Sequence, residues 1–129
     1  MKSGMAMAGK RLDGPGREAG QRRVEAMVVS AFAIASENMR ARHRGPARAA
    51  FARQVAMYLA RTRLGLSLTA TGAFFGRDRT TGAHACRIVE AKRDDPRIDA
   101  IVYVLERSIE NWLEAAMVKG QNLVDRGHQ

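Results

Sequence analysis

Apolar residues recur at three- and four-residue spacing along much of the chain, and this periodicity predicts helices. The first apolar stripe begins near Gln21 and comprises Val24, Met27, Val28, Ala31, Phe32 and Ala35. The most regular stripe lies near the C-terminus and comprises Ile98, Ile101, Val102, Leu105, Ile109, Trp112 and Leu113. No segment shows the strict alternation of a half-buried strand. We therefore expect an all-α protein, a compact helical bundle with a long C-terminal amphipathic helix.

Cap and turn residues predict where the central helices begin and end. Ser36 interrupts the first stripe as a new N-cap would, and it predicts a short turn after the first helix. A helix is expected over residues 49–64, and Gly65 suits the left-handed residue that follows a helix end. Ser67 is expected to cap a second, shorter helix over residues 68–75.

A further helix is predicted to start at Asp78, after a turn at Gly76, and to extend to about Lys92. Asp95 followed by a proline indicates the start of the last helix, because proline suits the first helical position. Two short helices joined by a glycine turn are typical of a helix-turn-helix. The sequence therefore predicts this motif at residues 67–92.

The two ends of the chain lack the apolar periodicity of its middle. Residues 1–20 are rich in glycine, and we expect them to form a disordered, basic tail. One helical domain is predicted over residues 21–118, since 129 residues leave room for a single core. Residues 119–129 are predicted to be a frayed C-terminal tail.

Positive charge is concentrated in one part of the chain. The formal net charge is +9, and residues 38–77 hold eight arginines but none of the thirteen acidic residues. A basic stretch that leads into a helix-turn-helix indicates double-stranded DNA as the partner. No apolar run is long enough to span a membrane, and we expect no membrane partner.

The helix that follows Asp78 is predicted to have two distinct faces. Small or apolar residues share one face, namely Gly82, Ala85, Cys86 and Val89, and the other face carries Thr80, Ala83, His84 and Arg87. Arg79, at the N-terminal end, suits two hydrogen bonds to a guanine. Thr80 and Thr81 offer hydroxyl and methyl groups, and Asp78 caps the helix or accepts from a cytosine amino group. We predict that Asp78, Arg79, Thr80 and Thr81 read bases.

The segment RQVAMYLARTRLGLSLTATGAFFGRDRTTGAHACRIVE, residues 53–90, resembles the C-terminal DNA-binding domain of the bacterial replication initiator DnaA. Its most specific part is the run GRDRTTGAHACR, which is close to that family's signature. With the first helix and the basic loop that follows it, the resemblance covers most of the predicted domain. It implies a DnaA-type helix-turn-helix that binds DnaA boxes at a replication origin.

The resemblance also implies roles for individual residues. Arg53, Gln54 and Arg61 match positions near the DNA backbone, and the matches to positions that touch DNA are Leu68, Asp78, Thr80, Thr81 and His84. The loop with Arg40, Arg42, Arg44 and Arg48 matches a segment that reaches an adjacent minor groove. We expect these arginines, with Arg53, Gln54, Arg61, Leu68, Arg77, His84 and Arg87, to contact the DNA backbone or minor groove.

Four residues depart from the family pattern. Arg79 stands where the family has a histidine that helps to read its box, and Ala52 replaces a proline that opens the long helix. Gly76 is single where two glycines are common, and Thr71 replaces an isoleucine. DNA binding is expected to survive these changes, but the sequence leaves open which box is recognised.

The chain shows no pattern for catalysis, a cofactor or a metal. The phosphate-binding pattern G-x-x-x-x-G-K-[ST] does not occur, so the initiator's ATPase motor is not predicted. His84 and Cys86 face different directions on a helix, and no second Cys-His pair exists to complete a zinc site. The single cysteine suits a reducing compartment. We predict a cytoplasmic, nucleoid-associated protein that is not an enzyme.

Three functions agree with this pattern. The first is a stand-alone, DnaA-like regulator that binds origin DNA. The second is a protein-interaction module for the initiator or for the ATPase that regulates it. Its surface would be an exposed acidic face of the last helix, formed by Asp94, Asp95, Asp99, Glu106, Glu110 and Glu114. The third is a transcription factor that uses the same helix-turn-helix. The sign of regulation and the oligomeric state stay open.

Overall fold

The computed structural model describes residues 14–40 and 47–127, and the side chains of residues 16–40 and 47–119. The described residues form five α-helices and one 3-10 helix, without a strand. These elements are α1 (Gly14–Phe32), η1 (Ser36–Arg40), α2 (Ala47–Thr62), α3 (Leu68–Ala73), α4 (Arg79–Lys92) and α5 (Pro96–Gly127). The prediction of an all-α fold with a long last helix is confirmed. Arg42 and Arg44 lie outside the described residues.

Helix α2 forms the centre of the fold, and α1, η1, α3 and α4 all pack against it. Eight of its sixteen residues are buried, namely Ala49, Ala52, Val55, Ala56, Met57, Tyr58, Leu59 and Ala60. Four of these are alanines, so neighbouring helices can approach the α2 backbone closely. A helix buried on several sides explains why α2 is less amphipathic than the last helix.

Helix α1 begins at Gly14, seven residues before the predicted start at Gln21. The prediction relied on apolar periodicity, which residues 14–20 lack, whereas Pro15 is tolerated in a first turn because those N–H groups need no helical acceptor. Val24 and Val28 are buried, as predicted, but Ala31 and Ala35 are exposed. The buried stripe of α1 is therefore narrower than the sequence pattern indicated.

Helix α5 continues to Gly127, whereas the sequence pattern predicted a frayed tail from residue 119. A glycine inside a helix costs only about 1 kcal/mol relative to alanine, so Gly120 need not end it. Four predicted core residues of α5 are buried: Val102, Leu105, Ile109 and Leu113. Ile101 is exposed, contrary to the prediction. None of the helices in the described part of the chain is both long and apolar enough to cross a lipid bilayer.

Two acidic residues of α5 lie inside the protein rather than on an exposed face. Glu106 is only 4% exposed and pairs with Arg63, which is 7% exposed, through an Nη2–Oε2 distance of 3.0 Å. Glu110 is half-buried and lies 2.9 Å from Nε of the same arginine. The predicted acidic face is therefore wrong at these positions, because α5 docks them against the basic end of α2.

Arg93, just after α4, completes this internal charge cluster, which we define as Arg63, Arg93, Asp99, Glu106 and Glu110. Its guanidinium donates to Glu106 at 2.7 Å and to Asp99 at 2.6 Å. Burial opposes the charge, but these hydrogen bonds, with one to the Tyr58 hydroxyl, raise the pKa of Arg93 above its ordinary value. The cluster thus connects α2, α4 and α5 by charge-assisted hydrogen bonds.

Candidate nucleic-acid interface

Helices α3 and α4 form the predicted helix-turn-helix, and side chains cap both of them. Ser67 accepts a hydrogen bond from the Ala70 N–H at 3.1 Å, and Asp78 accepts one from the Thr81 N–H at 2.9 Å. Both predicted N-caps are confirmed. Gly76 has a φ of +69°, which an L-residue adopts only with strain, so the turn requires glycine there. The caps and the turn hold the start of α4 in one position.

Two glycines allow α3 and α4 to approach each other closely. A Cβ atom on Gly72 would lie 2.5 Å from the Asp78 carbonyl oxygen and 2.9 Å from that of Arg77. A Cβ atom on Gly82 would lie 3.1 Å from the Leu68 carbonyl oxygen. The sequence analysis did not assign a close-approach role to Gly72, although a glycine inside a six-residue helix is a signal for one.

Helix α4 turns its polar face to solvent. Gly82, Ala85 and Val89 are buried and Cys86 is half-buried, whereas Arg79, Thr80, His84 and Arg87 are exposed. Thr81 and Ala83 are half-buried at the boundary. Asp78 is exposed, and hydrogen bonds from the Thr81 N–H and hydroxyl lower the pKa of its carboxyl, so that it is anionic at neutral pH. The helix therefore presents one cationic and hydroxyl-bearing surface that protein atoms do not cover.

Arg53 on α2 lies close to Arg77, which precedes α4. Burial lowers the pKa of Arg53, and the nearby charge of Arg77 lowers it further. Arg53 donates to the Met39 carbonyl at 3.3 Å, and Arg77 donates to the Phe75 carbonyl at 2.9 Å. The positive charge of Arg77 therefore acts on Arg53, and a bound anion would offset this repulsion.

The end of α2 adds a second group of cations beside α4. Arg61 is exposed, and its guanidinium donates to the Leu66 carbonyl at 3.0 Å. Burial raises the pKa of the Cys86 thiol, while the nearby charges of Arg61 and Arg87 act in the opposite direction. The charges of these two arginines, one on α2 and one on α4, therefore both act on Cys86. Gln54 and Leu68 are half-buried, on α2 and at the start of α3.

The described arginines next to the basic loop have partners within the protein. Arg40 forms an ion pair with Glu25, with an Nη1–Oε2 distance of 2.6 Å. Arg48 is exposed and lies 3.5 Å from the Ala33 carbonyl. Arg63, which belongs to the acid-free stretch, is in the internal charge cluster. Fewer arginines are thus available to an external anion than the charge pattern of residues 38–77 indicates.

No three side chains among the described His, Cys, Asp and Glu residues come close enough together to hold a metal ion. The Cys86 thiol, with its raised pKa, is protonated at neutral pH and therefore unreactive as a nucleophile. The chemistry available at this surface is hydrogen bonding and charge, supplied by guanidinium, imidazole and hydroxyl groups.

Comparison with known proteins identifies the family. A family model described as bacterial DnaA protein helix-turn-helix matches residues 22–89, more than half of the chain. The chain is 54% identical over 41 residues to the chromosomal replication initiator protein DnaA 2 of Chlamydia trachomatis, a match that covers 32% of this chain and 9% of that protein. It is 51% identical over 55 residues to the chromosomal replication initiator protein DnaA of an Azoarcus species.

The second match covers 41% of this chain and 12% of the Azoarcus protein, so the chain spans only a small part of the relatives that it matches. A match of the same extent, 51% over 55 residues, relates the chain to the DnaA protein of Aromatoleum aromaticum. The matched segment of the family model contains η1, α2 and α3, with most of α1 and α4, whereas α5 lies beyond it. The chain belongs to the family of bacterial DnaA helix-turn-helix domains.

Proposed function

We propose that this protein binds specific sites in double-stranded DNA and regulates the initiation of chromosome replication. The observation that carries this proposal is the exposed face of α4, where Arg79, Thr80, His84 and Arg87 lie side by side. The names of the relatives, chromosomal replication initiator proteins, support the link to replication. On this proposal the described domain acts by occupying its DNA sites.

Base reading is assigned to the first turn of α4. A helix of this kind enters the major groove with its N-terminal residues towards the base edges. Arg79 would donate two hydrogen bonds to a guanine, and Thr80 and Thr81 would contact phosphates, bases or a thymine methyl group. Asp78 would mainly hold the helix start, since its carboxylate already accepts from Thr81. The arginine at position 79 favours a guanine at the base pair that it faces.

Phosphate binding is assigned to the cations that surround this face. Arg53, Arg61, Arg77 and Arg87 would bind DNA phosphates, with His84 as a further donor. Gln54, Leu68 and Arg48, with Arg42 and Arg44 of the loop, remain predicted contacts to the backbone or minor groove. The strength of binding should fall steeply with salt.

Binding of the purified protein to origin DNA and to scrambled DNA of equal length tests this function. At physiological salt we expect origin DNA to bind more tightly, and Arg79→Ala to remove about 1–3 kcal/mol of that preference. Arg97→Ala is the matched control, because this exposed arginine at the start of α5 pairs only locally with Asp95. Equal affinity for both DNAs, unchanged by Arg79→Ala, would rule out site-specific binding.

A second candidate function, binding to the replication initiator or to the ATPase that regulates it, is favoured by the outer face of α5. Tyr103 and Val104 are 56% and 61% exposed, and such large apolar groups are typical of contact surfaces when they cluster. A pull-down with the initiator that is retained by Arg79→Ala but lost in Val104→Glu would support this candidate. Loss in Arg79→Ala alone would support the DNA function instead.

A further inference from the structure

We infer that Arg40 is a positioning residue that fixes the turn of the helix-turn-helix, and that it is not a ligand of DNA phosphate. The inference rests on the proposed DNA-binding function and assigns Arg40 a different role within it. Arg40 belongs to the acid-free basic stretch, which by charge alone would place it on the DNA. Its contacts within the protein instead indicate that Arg40 holds other parts of the fold together.

Both terminal nitrogens of Arg40 are bound by one carboxylate. Nη1 lies 2.6 Å from Glu25 Oε2 and Nη2 lies 3.2 Å from Glu25 Oε1. The Glu25 side chain is 13% exposed, whereas the Arg40 side chain is 45% exposed. A bidentate pair with a mostly buried carboxylate is stronger and more directional than a surface ion pair. The charge of Arg40 is thus neutralised by α1 and is not offered to an external anion.

The same guanidinium lies over the aromatic pair that precedes the turn. Arg40 Cζ is 4.8 Å from the Phe74 ring centre and 5.3 Å from that of Phe75. The two rings pack edge to face, with their centres 5.0 Å apart. Arginine can stack on rings and bind a carboxylate at the same time, because its guanidinium is planar. Arg40 therefore bridges α1 to Phe74 and Phe75, the two residues that follow α3.

The position of α4 depends on this bridge. Gly76 follows Phe75 directly and makes the turn, and the Arg77 N–H donates to the Gly72 carbonyl at 2.9 Å. Asp78 then caps α4. A shift of Phe74 and Phe75 would be passed through the three residues 76–78 to the base-reading end of α4. Groups that read bases by hydrogen bonds must be held within a fraction of an ångström.

The decisive variant is Glu25→Gln, because the two roles of Arg40 predict opposite signs. A general electrostatic effect would strengthen DNA binding, since an acidic charge is removed from a DNA-binding protein. If Arg40 positions the turn, Glu25→Gln should weaken binding about fivefold, as expected for the loss of a partly exposed charge-assisted pair. Glu18→Gln is the matched control: it removes the same charge from the same helix, where Glu18 pairs, among the described residues, with the exposed Arg22.

The salt dependence of binding separates positioning from phosphate contact. Each phosphate contact contributes about 0.9 to the slope of log affinity against log salt. Arg40→Ala should lower affinity and leave this slope unchanged, whereas Arg87→Ala should reduce the slope by about 0.9. Arg40→Lys, which keeps the charge, should bind as weakly as Arg40→Ala. Tighter binding by Glu25→Gln, together with a reduced slope in Arg40→Ala, would overturn the inference.

A measurement without DNA keeps this test independent of the proposed function. In nuclear magnetic resonance spectra of the free protein, Glu25→Gln should shift the backbone amides of residues 74–81, and Glu18→Gln should not. Unchanged amide shifts at the turn in Glu25→Gln would contradict the positioning role. Failure of the wild-type protein to prefer origin DNA would instead contradict the proposed function alone.

Discussion

Helix α4 and the internal charge cluster place the same residue type, arginine, in opposite environments. Arg79 and Arg87 on α4 are exposed, and among the described residues neither is held in an ion pair. Arg63 and Arg93 are held by Glu106 at 3.0 Å and 2.7 Å. An arginine is available to DNA only when the fold leaves it without an internal carboxylate. Basic composition alone therefore overestimates the number of cations on a DNA-binding surface.

The comparison predicts that removing an arginine from the internal charge cluster lowers the stability of the fold far more than removing one from α4. Arg63→Ala should lower the free energy of unfolding by about 3–5 kcal/mol, because Glu106 is then left buried with less compensation. Arg87→Ala should change it by less than about 0.5 kcal/mol. Urea denaturation of both variants is the measurement. Equal losses of stability would show that the two groups are not physically distinct.

The next largest effect is expected where the motif is most tightly packed. Gly72→Ala places a Cβ atom 2.5 Å from the Asp78 carbonyl oxygen, so the turn must move, at a cost of about 1–3 kcal/mol. Gly82→Ala, whose Cβ atom meets its nearest neighbour at 3.1 Å, should cost less. Thermal unfolding of both variants shows which substitution lowers the stability more. A larger loss in Gly82→Ala would contradict the geometry of the motif.

Removal of the exposed Arg87 tests whether α4 contributes a phosphate contact to DNA binding. Arg87→Ala should weaken binding to every DNA sequence alike and should reduce the salt slope by about 0.9. Fluorescence anisotropy with labelled origin and scrambled duplexes at several salt concentrations measures both effects. A sequence-dependent loss would assign Arg87 to base reading rather than to phosphate.

The smallest effect concerns the cap of α4. Hydrogen bonds from Thr81 lower the folded-state pKa of Asp78 below its ordinary value of 3.8. A carboxyl with a depressed pKa stabilises the fold above its unfolded pKa, and this contribution is lost as the pH falls through the folded pKa. As the pH is lowered, the unfolding temperature should therefore fall more steeply in the wild-type protein than in Asp78→Asn, which keeps a capping side chain. Parallel acid profiles would show that the cap does not depend on the charge.

Local signals in the sequence were sufficient for the helices and their caps. Ser67 and Asp78 cap the two motif helices as predicted, because an N-cap needs only a side-chain oxygen and N–H groups two or three residues away. The family signature located the motif, and the family model confirms it. The ends of the helices were less predictable: neither the polar start of α1 nor the continuation of α5 beyond Gly120 has a periodic signal.

Contacts between distant residues could not be predicted in the same way. Arg40 and Glu25 are fifteen residues apart, and Arg63 and Glu106 are forty-three apart, so no spacing rule connects them. The acidic pattern of α5 predicted an exposed face, but the fold turned Glu106 inward. The close approach at Gly72 had a weak signal, a glycine inside a short helix.

The sequence by itself determined that the protein is helical, basic and built around a DnaA-type helix-turn-helix, with Arg79 at the start of its second helix. These properties follow from periodicity, charge and a contiguous motif, each of which is local. Only the tertiary structure decided which arginines face solvent and which are neutralised within the protein. That outcome depends on which acidic side chain lies within hydrogen-bond distance, and such proximity arises only when the helices pack.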